Sequence, residues 1–325
     1  MQKTALITGV AGQDGAYLAD FLLRKKYRVV GILPSKGKKK MGKLDYFGIS
    51  NKIVVIEGSI CNARLMGEIL KEYKPDELYN LAGQSSVAKS WEDPIITFKI
   101  NASAVIQTLQ MIKTISPRTR FLQCSTAEIY GEAGKIITDD CVEHNPLNPY
   151  GISKLAAHLA VKNFRAQYGL FACNAILFNH ESPLRADYTA TKKIANAAAR
   201  IALGLEENIK LGNINVSRDW GYAGDFVKAM WLILRGKEPK DYVVSTGVSF
   251  PLKRFVEEAF KCVNKKNWSD YVIFDKSLKR KSDIKSMRGS PRNIIKELGW
   301  KPETDFKDLV KIMVDYELDK IKKSV

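Results

Sequence analysis

The chain has 325 residues, 45% of them hydrophobic, which is enough for one large α/β unit or two lobes around a substantial core. Its 52 basic and 35 acidic residues give a net charge of +17, which favours anionic partners such as nucleic acids, acidic membrane surfaces or phosphorylated small molecules. We find no recognised nucleic-acid-binding motif, and no apolar run approaches the ~20 residues that span a bilayer, so we predict neither a nucleic-acid nor a membrane partner.

The cysteines and histidines do not indicate a metal site. Five cysteines show no CxxC or other metal-ligand spacing, and the three histidines lie far apart in sequence. The odd cysteine count and the absence of a signal peptide predict reduced thiols in the cytoplasm.

The first predicted strand, 4–9, is a short apolar run that leads into a glycine-rich turn and a helix over 14–26. Gly9, Gly12 and Gly15 have a GxxGxxG spacing, which permits a tight turn and close approach of a pyrophosphate to a helix N-terminus. Because this pattern stands between a strand and a helix, we predict a dinucleotide-binding loop that also includes Gln13 and Asp14.

Strands and helices then alternate along the N-terminal half. This repeated β-α pattern predicts an α/β fold with a doubly wound parallel Rossmann sheet. We predict that the ends of the third strand, 52–58, and the fourth strand, 77–83, place four residues beside the cofactor: Ser59, Ile60, Leu81 and Ala82. The predicted strands are 27–33, 52–58, 77–83 and 119–125, and the predicted helices are 63–73 and 102–114.

The segment after the second strand bears on the identity of the cofactor. NAD sites usually have an acidic residue near the end of this strand, on the ribose 2′-hydroxyl. This chain reads GILPSKGKKK there and has no acid before Asp45, whereas Ser35, Lys36 and Lys38 could bind a 2′-phosphate. We therefore predict NADP, with NAD as the alternative if the lysines form a solvated loop.

Beyond about residue 175 the alternation weakens, which predicts a smaller C-terminal α/β lobe with substrate contacts. We predict a strand over 241–247 and helices over 252–263 and 306–321. The Rossmann domain would comprise residues 1–174 and roughly 221–247. Residues 175–220 and 248–325 would form the substrate lobe.

Tyr150 and Lys154 are four residues apart in NPYGISK, at the start of a predicted amphipathic helix, so both side chains project from one face. A nearby ammonium favours the phenolate and would lower the pKa of the tyrosine. Such a tyrosine can take a proton from a sugar hydroxyl while hydride leaves the same carbon. We therefore predict that Tyr150 is the base and that Lys154 also holds the nicotinamide ribose.

Nearly end to end, the chain resembles the extended short-chain dehydrogenase/reductases, and within them the GDP-mannose 4,6-dehydratases. The glycine loop and YxxxK indicate only the superfamily, whereas LFNHESP and RDWG are more specific. The other resembling segments are LYNLAGQSSVAKSWEDP, CSTAEIYG, TKKI and ELGWKPE.

The resemblance implies a 4,6-dehydratase that recycles a tightly held cofactor. Thr126 would hydrogen-bond to O4 of the sugar, and Glu128 would perform the acid-base chemistry at C5 and C6. Simple epimerases and reductases usually lack this acid, so an epimerase, reductase or C4 dehydrogenase stays the alternative. The resemblance also implies substrate contacts for Ser85, Asn179, Lys193, Arg218 and Arg280.

Several positions depart from the resembling enzymes, which leaves the sugar open. GDP-mannose is the default substrate, with a GDP-heptose or GDP-N-acetylhexosamine as alternatives. Pro34 and Ser35 stand where relatives have paired arginines that help to bind NADP and to form tetramers, so we predict a homodimer, with a homotetramer as the alternative. The other departures are Ser59 where the resembling enzymes have an aspartate, Ser86 and Tyr222 where they tend to have histidines, and Leu184 where they have an arginine.

Overall fold

A computed structural model describes residues 2–34, 41–278 and 284–323. Three of the predicted ligand contacts, Ser35 and Lys36 for the cofactor and Arg280 for the substrate, lie outside these ranges, as does Lys38.

The element order confirms the predicted alternation in the N-terminal half. The strands are β1 Thr4–Thr8, β2 Arg28–Leu33, β3 Val54–Glu57, β4 Glu77–Asn80, β5 Arg120–Thr126, β6 Ala172–Leu177, β7 Asn179–Glu181, β8 Ile209–Leu211, β9 Ser217–Tyr222, β10 Tyr242–Val244, β11 Ser249–Pro251, β12 Val272–Phe274 and β13 Ser286–Met287. The α-helices are α1 Gln13–Arg24, α2 Gly42–Asp45, α3 Ala63–Tyr73, α4 Val87–Glu92, α5 Pro94–Phe98, α6 Ala104–Ile115, α7 Pro149–Tyr168, α8 Ala190–Ala202, α9 Ala223–Ile233, α10 Leu252–Cys262, α11 Arg292–Leu298 and α12 Phe306–Lys322.

The main sheet is doubly wound and parallel, as predicted. Its seven strands lie in the order β10-β6-β5-β4-β1-β2-β3, and each neighbouring pair is parallel. The order reverses between β1 and β4, and ligands of such sheets bind outside the carboxyl ends of the strands at that point. The glycine loop follows β1, so the fold brings it to this crevice.

Apolar side chains cover both faces of the sheet. One core contains Leu18 and Leu22 of α1 with Val227 and Met230 of α9, and the opposite core is formed largely by α3, α6 and α7. A third core, built from α8, α10 and α12 with β8 and β9, belongs to the C-terminal lobe. The lobe also contains a small mixed sheet in which β9 pairs with β7, β11 and β13.

One long helix has the length of a membrane span, although polar residues and lysines interrupt its apolar sequence. Helices α5 and α6 are joined by a π-helical turn, Lys99–Ser103, into one helix, Pro94–Ile115, of 22 residues, which contains an 18-residue window with a mean hydropathy of 1.2. By length and composition alone this helix could cross a membrane, but core helices of soluble proteins pass the same test, and 44% of that window is buried inside the protein.

Candidate active site

The glycine loop has the close approach that the sequence predicts. A Cβ on Gly9, whose φ is +71°, would lie 2.9 Å from the backbone of Ala82, and a Cβ on Gly15 would lie 2.4 Å from the carbonyl oxygen of Gly9. The Gly12 amide donates to the Gly9 carbonyl at 2.8 Å, which closes the turn before α1. Gly9 and Gly15 therefore leave no room for a side chain, and the tight turn that they permit is the kind that brings a phosphate to a helix N-terminus.

Side chains of the first turn of α1 connect the loop to the C-terminal lobe. Gln13 donates to the carbonyl oxygen of His180 at 3.2 Å and accepts from the hydroxyl of Ser182 at 2.8 Å. Asp14 lies 2.9 Å from Nε2 of His180. Burial opposes ionisation of both partners, but their mutual attraction prevails, so the pKa of Asp14 falls to about 2 and that of His180 rises.

The remaining predicted cofactor contacts lie at the ends of β3 and β4. Ile60 is buried and Ser59 is exposed, with the Ser59 hydroxyl accepting from the Cys61 amide at 3.2 Å. Leu81 and Ala82 are half-buried behind Gly9, and the Ala82 amide donates to the hydroxyl of Thr8 at 3.1 Å. These contacts hold the end of β4 against the glycine loop.

The end of β5 and the first turns of α7 bring the four predicted catalytic side chains together. Thr126 is the last residue of β5; its hydroxyl accepts from the Glu128 amide at 3.3 Å and lies close enough to Tyr150 to act on the pKa of the phenol. Lys154 is 8% exposed and donates to the carbonyl oxygen of Cys124 on the same strand. Glu128 follows in a 3₁₀ turn, Ala127–Tyr130, close enough to Tyr150 to affect its charge state.

The predicted lowering of the Tyr150 pKa was wrong for the protein without ligands. Burial raises the pKa of Tyr150, and the nearby charge of Glu128 raises it further. The Thr126 hydroxyl and the charge of Arg185 act in the opposite direction but do not prevail. Burial also lowers the pKa of Lys154. The helical spacing aligned the two side chains correctly but did not predict how deeply they are buried.

The two motifs are joined by a contact that sequence reasoning missed. Asn148 caps α7, since its Oδ1 accepts from the Gly151 amide at 2.8 Å. Its Nδ2 donates to Oε2 of Glu128 at 3.3 Å. The available signal was an asparagine directly before a Pro-Tyr pair at a predicted helix start, which is typical of an N-cap.

Ser85 stands in an exposed loop after β4 that a buried asparagine supports. Asn101 lies in the π-helical turn, accepts from the Gln84 amide at 2.9 Å and donates to the Ser153 hydroxyl at 3.0 Å. The loop is thereby tied to α7, the helix of Tyr150. Such π-helical turns often mark functional sites, but no pattern of residues in the sequence predicted this one.

The predicted substrate contacts of the lobe are more dispersed. Asn179 is half-buried at the start of β7, just past the carboxyl end of β6. Lys193, in the first turn of α8, is exposed and lines a cavity of about 410 Å³ with Lys192 and Asn196. Arg218 is 8% exposed and donates to the carbonyl oxygen of Ile284 at 2.6 Å.

The departures at Ser86, Leu184 and Tyr222 have structural roles. Ser86 caps α4, Leu184 is buried in the core beside the sheet, and the Tyr222 ring packs edge-on against Tyr17. Sequence reasoning treated an arginine as lost at position 184, but the next residue supplies one. The Arg185 guanidinium acts electrostatically on Asp14 and Tyr150, so it belongs to the candidate site.

Comparisons with known proteins indicate the family of this chain. The family model described as GDP-mannose 4,6 dehydratase matches residues 6–313. GDP-mannose 4,6 dehydratase 1 of Arabidopsis thaliana is 39% identical over 99% of this chain and 91% of its own length. The Homo sapiens GDP-mannose 4,6 dehydratase is 35% identical over 98% of this chain and 92% of its own length.

Solved structures share the fold at lower identity. UDP-glucose 4-epimerase of Thermotoga maritima, solved with UDP-glucose, has a TM-score of 0.86 at 23% identity, over 98% of this chain and 99% of that one. RMD of Pseudomonas aeruginosa with NADPH has a TM-score of 0.82 at 24% identity, over 98% and 100%. dTDP-glucose 4,6-dehydratase of Bacillus anthracis with NAD has a TM-score of 0.84 at 18% identity, over 98% of both chains. From the match of the family model and the relatives above 30% identity, this chain belongs to the GDP-mannose 4,6-dehydratase family.

Proposed function

We propose that this protein is a GDP-sugar 4,6-dehydratase that forms a 4-keto-6-deoxy sugar. The observation that carries the proposal is the position of Glu128, which adjoins Tyr150 and is held by Asn148 at the start of the same helix. A carboxylate in this place supplies the acid-base group that elimination of water needs. The reaction of a simple epimerase does not need this group. Membership of the family supports the same reaction class.

The oxidation at C4 is assigned to Tyr150 and Lys154. Tyr150 takes the O4 proton as the phenolate, the form that the Thr126 hydroxyl and the charge of Arg185 favour against the effect of burial. Lys154 is anchored to the Cys124 carbonyl, so its ammonium is fixed on the face of α7 that also presents Tyr150. The bound nicotinamide would accept the C4 hydride and later return it to C6.

Elimination is assigned to Glu128. A 4-ketone makes the adjacent C5 proton acidic, and the Glu128 carboxylate takes that proton as the electron pair forms the C5=C6 bond. The C6–O bond breaks, and the same proton leaves with the hydroxyl as water. Hydride at C6 and a proton at C5 then complete the 6-deoxy sugar, so the net change is the loss of one water.

The glycine loop fits a dinucleotide, because a Cβ on Gly9 or Gly15 would collide with the backbone of Ala82 or Gly9 and prevent the tight turn that leads to the N-terminus of α1. We assign Gly9, Gly12, Gln13, Asp14 and Gly15 to its pyrophosphate end. NADP remains the proposed form, since no acid stands at the end of β2 before Asp45. The structural relatives include one solved with NADPH and one with NAD, so likeness of fold does not choose between them.

The substrate is assigned as a GDP-sugar with cationic contacts to its diphosphate. Lys193 faces a cavity, Arg218 donates to the carbonyl oxygen of Ile284, and Arg280 lies outside the described residues. Guanidinium and ammonium groups are suited to diphosphate oxygens. GDP-mannose is the first candidate because the relatives carry its name, and a GDP-heptose or GDP-N-acetylhexosamine is the alternative.

The proposed assembly is a homodimer. Exposed aliphatic side chains lie on neighbouring helices: Ile95 of α5, Ile106 of α6, and Ile152 and Leu159 of α7, with Ile95 75% exposed. Such a cluster is typical of a surface that another chain covers. A homotetramer is the alternative, and the five free cysteines suit the proposed cytoplasmic location.

The function is tested by incubating the protein and cofactor with a panel of GDP-sugars in deuterated water. The expected product has lost one water and gained deuterium at C5. A product of unchanged mass would indicate the epimerase, and stoichiometric reduction of the cofactor without loss of water would indicate a C4 dehydrogenase.

A further inference from the structure

The side chain of Asn148 contacts both the helix that carries Tyr150 and the carboxylate of Glu128. One side chain therefore helps to place two reacting groups. Asn148 is 4% exposed, and both ends of its amide are occupied. Oδ1 accepts from the Gly151 amide at 2.8 Å, and Nδ2 donates to Glu128 at 3.3 Å. The first contact caps the helix that carries Tyr150, and the second orients the carboxylate.

The hydrogen-bond partners of Asn148 determine which end of its side-chain amide is the oxygen and which is the nitrogen. The Gly151 amide can only donate, so the atom facing it must be the oxygen. The carboxylate of Glu128 can only accept when ionised, so the atom facing it must be the nitrogen. In a flipped amide, the NH₂ group would face the N–H donor of Gly151, and the carbonyl oxygen would face the carboxylate acceptor of Glu128. The cap therefore requires that an N–H group points at Glu128.

The surrounding backbone leaves little freedom for this arrangement. A Cβ on Gly151 would lie 3.0 Å from the carbonyl oxygen of Glu128 and 2.9 Å from the side chain of Pro146. The Asn145 amide donates to the carbonyl oxygen of Ile129 at 3.1 Å. The first turn of α7 and the turn of Glu128 thus pack against each other as one unit.

We propose that Asn148 is a positioning residue for the C5 step, which holds the ionised carboxylate of Glu128 in the orientation that removes the proton. This inference rests on the proposed dehydratase function. Oxidation at C4 uses Tyr150 and Lys154 and does not need the Asn148 donor. Loss of the donor alone should therefore slow elimination more than oxidation.

The test uses two substitutions that keep a capping oxygen. Asn148→Ser retains an acceptor for the Gly151 amide but is too short to donate to Glu128, and Asn148→Asp places a second carboxylate against it. Asn, Asp and Ser cap helices about equally well, so the melting temperature of Asn148→Ser should stay close to that of the wild type, whereas repulsion between the two carboxylates should lower that of Asn148→Asp. Asn62, which caps α3 through the Leu65 amide at 3.1 Å, provides matched control variants, Asn62→Ser and Asn62→Asp.

The two half-reactions are followed separately. Reduction of the bound cofactor in a single turnover reports C4 oxidation, and deuterium uptake at C5 reports the C5 step. We expect Asn148→Ser to slow deuterium uptake about 10-fold and Asn148→Asp about 100-fold, with cofactor reduction within about 2-fold of the wild type. The Asn62 variants should change neither rate.

Wild-type deuterium uptake in Asn148→Ser would overturn the inference, as would an equal fall in both half-reactions, which would indicate a purely structural cap. A wild-type enzyme that takes up no C5 deuterium and releases no water would instead refute the proposed function. These outcomes distinguish a failure of the proposed role of Asn148 from a failure of the proposed dehydratase function.

Discussion

The sheet side and the lobe side of the site differ in how their functional groups are held. On the sheet side, Thr126 ends β5 and Lys154 lies in α7, where it donates to the carbonyl oxygen of Cys124 on β5. On the lobe side, Asn179 and Lys193 come from separate elements, and Lys193 is exposed. The comparison indicates that the reacting groups are placed before substrate binds, whereas the diphosphate contacts have room to adjust. Changes on the sheet side should therefore affect turnover, and changes on the lobe side should affect substrate binding.

The largest expected effect is on the sheet side. Tyr150→Phe removes the proton acceptor with little change in volume, so folding and cofactor binding should survive while kcat falls by at least ~100-fold. Turnover with a GDP-sugar and calorimetric titration of the cofactor measure the two properties. Near-normal turnover would remove Tyr150 from the mechanism.

Glu128→Gln should separate the two steps within the sheet side. The variant should bind substrate and reduce its cofactor at close to the wild-type rate, because C4 oxidation needs Tyr150 and Lys154. It should then stall, with reduced cofactor and a 4-keto sugar that has kept its C6 oxygen, detected by absorbance and mass. A variant that still releases water at the wild-type rate would contradict the role of Glu128.

Lys193→Ala examines the lobe side. Loss of one charge-assisted contact to a diphosphate, partly screened because the side chain is exposed, should raise KM about 10-fold and leave kcat within about 2-fold. Lys52→Ala, an exposed lysine that precedes β3, serves as the control and should change neither constant. A fall in kcat with constant KM would show that the lobe also positions the reacting sugar.

On the sheet side, the end of β2 determines which form of the cofactor we expect to bind. With no acid at the end of β2, NADP(H) should bind several-fold more tightly than NAD(H), because no carboxylate repels the 2′-phosphate. Calorimetry on the cofactor-free protein compares the two. Equal or tighter binding of NAD(H) would overturn the NADP assignment.

The sequence predicted the sheet side well because its signals are local. The glycine loop is contiguous with β1 and α1, and the spacing of Tyr150 and Lys154 directly sets their common helix face. Contacts between distant segments were not predictable in this way. The pairing of Asp14 with His180 joins residues 166 positions apart, and the π-helical turn at Asn101 has no periodic signature. The raised pKa of Tyr150 depends on burial, which spacing does not report.

The loop between Glu128 and α7 joins the two sides, and its attachment to the sheet should depend on pH. Asp139 in this loop accepts from the Val243 amide of β10, whereas Ile137 donates to the carbonyl oxygen of Arg288 at 3.0 Å on the lobe side. Burial raises the pKa of Asp139 from 3.8 to about 6, although its hydrogen bonds oppose the shift. The native state therefore binds more protons than the unfolded state between these pH values.

It follows that the Asp139 contribution makes the free energy of unfolding fall as pH rises through this window. Since the side chain is only half-buried, we expect about 1 kcal/mol rather than the full value of the shift. Asp139→Asn keeps an acceptor for Val243 and cannot ionise, so its urea-unfolding free energy should lack this decline between about pH 4 and pH 6. The variant should match the wild type at the acid end of the window and exceed it at neutral pH. Identical pH profiles for the two proteins would show that Asp139 ionises without cost and that the loop attachment is insensitive to its charge.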